Sequence, residues 1–152
     1  MGVMGRVEEK LSSLGEVLPE PKKAVANYLA CKQAGNILYV SGRVSPMRGE
    51  VGSDLTVAEG QLAAKEALLD MLSIVRKEIG DLDRIIGVEK MLGFVRSASS
   101  FTEQPKVIDG ASDLLVAIFG EEGRHARTAT GVAQLPFGAA VQLEMILRLA
   151  QE

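Results

Sequence analysis

Tryptophan is absent from the 152 residues, and two tyrosines and four phenylalanines are the only other aromatic residues besides one histidine. With a single cysteine, Cys31, an internal disulfide is impossible, and one Cys plus one His are too few soft ligands for a zinc centre built from protein side chains alone. No metal and no cofactor are therefore expected. No run of lysines and arginines occurs and the formal charge is −3, so the chain has no electrostatic footprint for nucleic acid. No apolar stretch approaches the roughly 18 residues that a membrane span needs. The opening MGVMGRVEEK has no apolar core of signal-peptide length, and Arg6 stands where a myristoylation motif wants Ser or Thr, so cytoplasm is the expected location. An apolar fraction of 47% and a charged fraction of 24% suit one soluble globular domain spanning 1–152, without internal repeats or low-complexity segments.

Periodicity divides that domain. Val7, Leu11, Leu14 and Leu18 step by four, three and four, which predicts a short amphipathic helix within an N-terminal extension, 1–25. This helix is expected to cap the outside of the sheet. From Asn27, NYLACKQAGNILYVSGRV reads as two strands about a Gly35-Asn36 turn. After the turn-rich SPMRGEVGSD, Thr56 and Glu59 form a capping box that opens a helix running to Ile79, with Ala58, Leu62, Leu69, Leu72 and Ile79 on its predicted buried face. RIIGVEKMLGFVR reads as a strand. Pro105 suits the first turn of a second long helix, which buries Val107, Ala111, Leu114, Leu115 and Ile118 and stops at Gly120. Two strands flank Leu135-Pro136-Phe137-Gly138 at the end. The order helix, then β-β-α-β-α-β-β, is that of an α+β sandwich: a mixed sheet with two long helices on one face.

The last strand is the most informative. Val141, Leu143, Met145, Leu147 and Leu149 occupy one face, and Gln142, Glu144, Ile146 and Arg148 the other. A face with that many polar groups either meets water or lines a subunit interface. In the preceding strand Arg127 and Ala129 project oppositely to Thr128 and Thr130. The short Leu-Pro-Phe-Gly link is expected to bring the two strands, and their polar groups, together.

NYLACKQAGNILYVSGRV, ARTATGVAQLP and VQLEMIL together resemble the RidA/YjgF family of reactive-intermediate deaminases, over roughly residues 26–150. The N-terminal helix and the longer connection around Ser97 to Gln104 resemble a longer branch of that family. The resemblance implies a chorismate-mutase-like fold assembled as a homotrimer with ligand sites between subunits. It also implies hydrolysis of enamine and imine intermediates, of the 2-iminobutanoate or 2-iminopropanoate type, to a 2-keto acid and ammonia. Its carboxylate-gripping arginine falls on Arg127, and the physics suits the role: a guanidinium offers a planar pair of charged donors to a carboxylate. Tyr28 and Ser41 match the hydroxyls of the family's first hairpin, Gly42 allows close backbone approach, and Ala129 stands where the family often has cysteine in a largely backbone role. The family's acidic residue falls on Gln142, with Glu144 two places along the same face. Glutamine cannot accept a proton at neutral pH, so general-base help at that position is lost.

Plainer roles are open to each of these residues. Arg127 can pair with Glu144 or Glu122 at a subunit boundary; Ser41 can be a strand-end residue and Tyr28 a half-buried strand aromatic. His125 reads as a surface or interface residue, because no nucleophile accompanies it at a triad-like spacing. Cys31 reads as a small buried hydrophobe. Three functions stay open: an imine-hydrolysing trimer, a non-catalytic trimer holding a small carboxylate, and an endoribonuclease, a name attached historically to parts of the family. The last lacks a phosphate-binding surface and the usual acid/base pair.

Overall fold

The computed structural model describes residues 4–23 and 26–151; the start of the N-terminal extension, residues 1–3, and Ala24 and Val25 lie outside the described residues. Helix α1 (Arg6–Ser13) begins at Gly5, which has no side chain to cap with. Asp83 caps it from seventy-odd residues away: one carboxylate oxygen accepts from Arg6 N at 2.8 Å and the other from Val7 N at 2.9 Å. The helix ends well before Leu18. Gly15 turns left-handed at φ 76° and Glu16 N bonds back to Leu11 O at 2.9 Å, so Leu14 is left exposed. Val7 and Leu11 join the main core, and Glu8 and Glu16 pair with Arg76 and Lys65. The extension therefore packs on the helical layer and does not cap the outer sheet face.

Strands β1 (Cys31–Ala34) and β2 (Ile37–Val44) form the expected hairpin, with Gly35 at φ 62° supplying the positive dihedral that the two-residue turn demands. The first strand starts at Cys31 rather than Asn27, so Tyr28 precedes the ladder. Helix α2 (Val57–Ile79) opens on the capping box: Glu59 N donates to Thr56 Oγ1 and Thr56 N to Glu59 Oε1, both at 3.1 Å. Its buried face matches the predicted one in part: Leu69 and Leu72 are buried and Ile79 packs against the core, but the remaining two positions are not covered. Ala58 is exposed and Leu62 is 46% exposed, while Gly60, Ala63, Ala64, Ala67, Leu68, Met71, Leu72 and Val75 are buried.

Small residues explain the difference. After β3 (Ile85–Arg96), helix α3 (Gln104–Phe119) carries Pro105 in its first turn and ends at Gly120, as its sequence predicts. Helix α3 packs so tightly on α2 that a Cβ on Gly110 would lie 2.2 Å from the Gln61 carbonyl oxygen, and one on Gly60 would meet Val107 at 3.1 Å. The smallest side chains of α2 thus form its contact stripe, and Leu62 is left outside it.

Strands β4 (Ala126–Val132) and β5 (Val141–Leu149) complete a five-stranded sheet of order β1-β2-β5-β3-β4, in which only β3 and β4 run parallel. Strand β3 lies between β4 and β5, so the Leu135–Gly138 link crosses the end of a strand and does not join neighbours. Within it Phe137 is a left-handed non-glycine residue (φ 61°) and 65% exposed. Leu38, Val40, Met91, Val95 and the odd positions of β5 share one core with α2 and α3; no helix lies over the opposite face among the described residues. No described helix is long and apolar enough to cross a membrane.

An exposed helical glycine usually gains stability on conversion to alanine, by about 0.5–1 kcal/mol. At Gly110 the sign should reverse: Gly110→Ala forces the two helices apart and should cost about 1–3 kcal/mol, read as a lower urea midpoint at an unchanged slope.

Candidate functional site

The register of β3 decides which candidate residues meet. Met91 stands opposite both Arg127 and Met145, Leu92 opposite both Thr128 and Glu144, and Phe94 opposite both Thr130 and Gln142. Side chains directly opposed in a ladder share a face. Arg127 and Ala129 therefore face the helices, whereas Gln142 and Glu144 look out from the bare face. The convergence expected of the last two strands does not occur within one chain. An intervening strand separates them by distance, and parity separates them by face.

On the helical side Arg127 is held by α3. Its Nη1 donates to Asp109 Oδ1 at 2.7 Å and to Ser112 Oγ at 3.2 Å, and Nη2 reaches Pro105 O at 3.4 Å. Its ion-pair partner is thus Asp109, not Glu144 or Glu122. The guanidinium is only partly spent. Asp109 engages it through one oxygen and one nitrogen, and these bonds leave Nε–H and much of Nη2 for a ligand. The side chain stays 23% exposed, on the wall of a shallow depression of about 200 Å³ lined by Ser112, Val116, Arg124, His125 and Arg127.

His125 has the companion that spacing did not reveal. Its Nδ1 lies 2.7 Å from the Gly123 carbonyl oxygen and its Nε2 2.9 Å from Ser112 Oγ. A carbonyl can only accept, so Nδ1 carries the proton of the neutral ring, and Nε2 is the acceptor for the Ser112 hydroxyl. The signal was present but faint: Asp109, Ser112 and Val116 recur at three and four residues along α3, a stripe beside its apolar face on which Asp109 and Ser112 are polar.

On the bare face the ladder slips between Val40↔Met145 and Arg43↔Leu143, so the Ser41-Gly42 pair bulges opposite Glu144. Ser41 Oγ donates to Leu29 O at 2.6 Å, which commits its proton but leaves its lone pairs. A Cβ on Gly42 would sit 3.1 Å from Gln142 Nε2, so Gly42 is what lets the amide lie against the bulge. Tyr28 stands before β1, 41% exposed. Arg96 shares the face of Phe94 and was missed in the sequence; its Nε is buried without a partner, and Nη1 makes only a 3.4 Å contact to Gly138 O.

Elsewhere, burial and then repulsion from Glu78 push the Cys31 thiol up to about 12. Burial, followed by the charge of Asp70, raises the Glu66 carboxyl above its ordinary range, with Lys65 and Lys22 opposing. Among the described residues no three His, Cys, Asp or Glu side chains gather as metal ligands.

Comparison with known proteins gives a consistent result. Residues 8–148 match the profile of a family described as YjgF/chorismate-mutase-like, with endoribonuclease as its provisional function. Protein TCP17 of Trypanosoma cruzi is 47% identical over 152 residues, covering 95% of each chain. A crystal structure of a protein of unknown function from Agrobacterium tumefaciens superposes with a TM-score of 0.89 at 41% identity, over 95% of this chain and 93% of that one. One from Shewanella oneidensis, provisionally termed an endoribonuclease, gives 0.90 at 33% identity over 94% and 99%.

A thiol held protonated is a poor nucleophile. Iodoacetamide at pH 8 should therefore alkylate Cys31 at least tenfold more slowly in the folded protein than in urea, by intact mass; equal rates would mean that the burial is not felt.

Proposed function

The chain belongs to the YjgF/chorismate-mutase-like family, and from that premise we propose that it is a RidA-like hydrolase which converts small enamine and imine acids to 2-keto acids and ammonia. The observation that carries this reading is Arg127: a guanidinium in an open depression, held in place from α3 yet with donors to spare. A substrate carboxylate that shares it with Asp109 would gain a charge-assisted bond of about 1.5–3 kcal/mol. The backbone at Ala129, on the same side of β4, would line the substrate.

The working form is a homotrimer. Strand β4 is a sheet edge and the bare face carries exposed Tyr39 beside Ile37, Leu92 and Ile146; both are surfaces that association would cover. Arg127 and Gln142 occupy opposite faces of one chain, so a site using both draws Arg127 from one subunit and Tyr28, Ser41, Gly42, Gln142 and Glu144 from the next. In such a cleft Gln142 orients water or the imine nitrogen without taking a proton. That same limit favours a second reading, a trimer that binds small carboxylates without turnover. Endoribonuclease action finds no support in an acidic chain without a basic, aromatic-studded surface.

Imines generated in situ from a small L-amino acid by an amino-acid oxidase should release ammonia faster with the protein than without it. Arg127→Ala should remove about 10- to 100-fold of kcat/KM, the equivalent of one charged bond. Ammonia release at the uncatalysed rate would exclude the hydrolase, and if 2-ketobutyrate also failed to raise Tm, the binding trimer would go with it.

A further inference from the structure

Resting on the hydrolase reading, we infer that His125, acting through the Ser112 hydroxyl, is the proton acceptor that activates the hydrolytic water, the role for which Gln142 is chemically unfit. Near Arg127 two side chains can take a proton. Asp109 has an oxygen held at 2.7 Å by the guanidinium. His125 is arranged as a base with its orienting group behind it: Nδ1–H points to the Gly123 carbonyl at 2.7 Å, which leaves the Nε2 lone pair aimed at Ser112 Oγ at 2.9 Å.

The orienting carbonyl belongs to a turn packed closely on α3. A Cβ on Gly123 would lie 2.3 Å from the Leu115 carbonyl oxygen, so only glycine brings this turn so close to α3. Ser112 donates to His125 and accepts from Arg127 Nη1 at 3.2 Å, which leaves one lone pair toward the depression. In a 2-imino acid the electrophilic carbon is bonded directly to the carboxylate. A substrate gripped by Arg127 thus carries its reacting carbon to a water on Ser112. Four charged groups surround the ring: Arg127 on β4, Asp109 on α3 bound to Arg127, and Arg124 lining the depression with Glu121 3.9 Å from it.

The chemistry balances without a co-reactant. Water oxygen bonds to the carbon of the protonated imine as one of its O–H bonds breaks, and the C=N π pair becomes the lone pair of an amine. The water proton passes to Ser112 Oγ while the Ser112 proton passes to His125 Nε2. The imidazolium returns its proton by the same route to the amine nitrogen. The C–N bond then breaks with its pair on nitrogen, ammonia leaves, and the remaining hydroxyl proton goes to solvent as the carbonyl forms.

Steady-state ammonia release should be measured across pH 5 to 9 for wild type, His125→Gln, Ser112→Ala, Asp109→Asn and Arg127→Ala, with the same oxidase-generated imine. Loss of a general base costs about 10² to 10⁴-fold. His125→Gln and Ser112→Ala should each lose about 10²-fold or more in kcat with KM within about threefold, and His125→Gln should lose the fall in rate on the acid side, where imidazole takes up a proton. Arg127→Ala should act mainly on KM. His125 is the only histidine, so its ring protons give one assignable pair of NMR signals, which should shift when 2-ketobutyrate is added. Both His125→Gln and Ser112→Ala should keep the 2-ketobutyrate-induced rise in Tm, which shows the fold and the carboxylate anchor intact. Wild-type kcat in either variant, or an acid limb lost only in Asp109→Asn, overturns the relay while the hydrolase stands. No acceleration by wild type removes the hydrolase reading and the relay with it.

Discussion

The parallel pairing of β4 on β3 is the constraint on which the rest of the structure depends. A parallel neighbour requires a crossover, and α3 supplies it, lying over the strands it connects. The close fit is set at Gly93, where a Cβ would meet Ile108 at 2.6 Å. Once α3 is held there, the register Met91↔Arg127 turns the arginine toward the helix and not toward the bare face. Asp109 and Ser112, one turn apart on α3, then come to it. A one-residue slip of β4 would send Arg127 to the other side and Thr128 to α3, and the site would not exist.

What the sequence revealed and what it hid follow one physical division. Features set by neighbouring residues were legible: the Thr56–Glu59 box, the Gly35-Asn36 turn, Pro105 and Gly120 at the ends of α3, and the alternation of β5. Features set by contact between distant elements were not. The face that α2 buries depends on Gly110 arriving from α3, so its alanines outrank Leu62. Ser112 and His125 meet because of a crossover, and no spacing rule links a helix position to a residue before the following strand. Adjacency of β4 and β5 was inferred from a short link, but four residues can pass the end of an intervening strand. Arg127 stood out in the sequence, yet its partner Asp109 was not legible there.

The sheet divides its chemistry between two sides. Toward the helices lie a cation and groups able to move a proton; away from them lie an amide, a carboxylate, a bulge and a band of half-buried apolar side chains. Neither side is a deep pocket. A small substrate can be wrapped on several sides only where the two kinds of surface meet, and in one chain the thickness of the sheet keeps them apart. On the proposed trimeric reading, a site between subunits would follow, for this chain, from strand parity.

The cap on α1 has a consequence for how the molecule opens. An ordinary capping residue travels with its helix, so the first turn can fray while the cap remains bound. Here the acceptor, Asp83, belongs to the turn after α2, and the helix is pinned further by Glu8 on Arg76. Such a helix has no gradual way to loosen: it releases as a unit or not at all, and its release strips the turn between α2 and β3 of its satisfied carboxylate. Amide protons of the two segments, far apart in the chain, would then share one opening event, making the N-terminal helix a latch on the entry to the central strand.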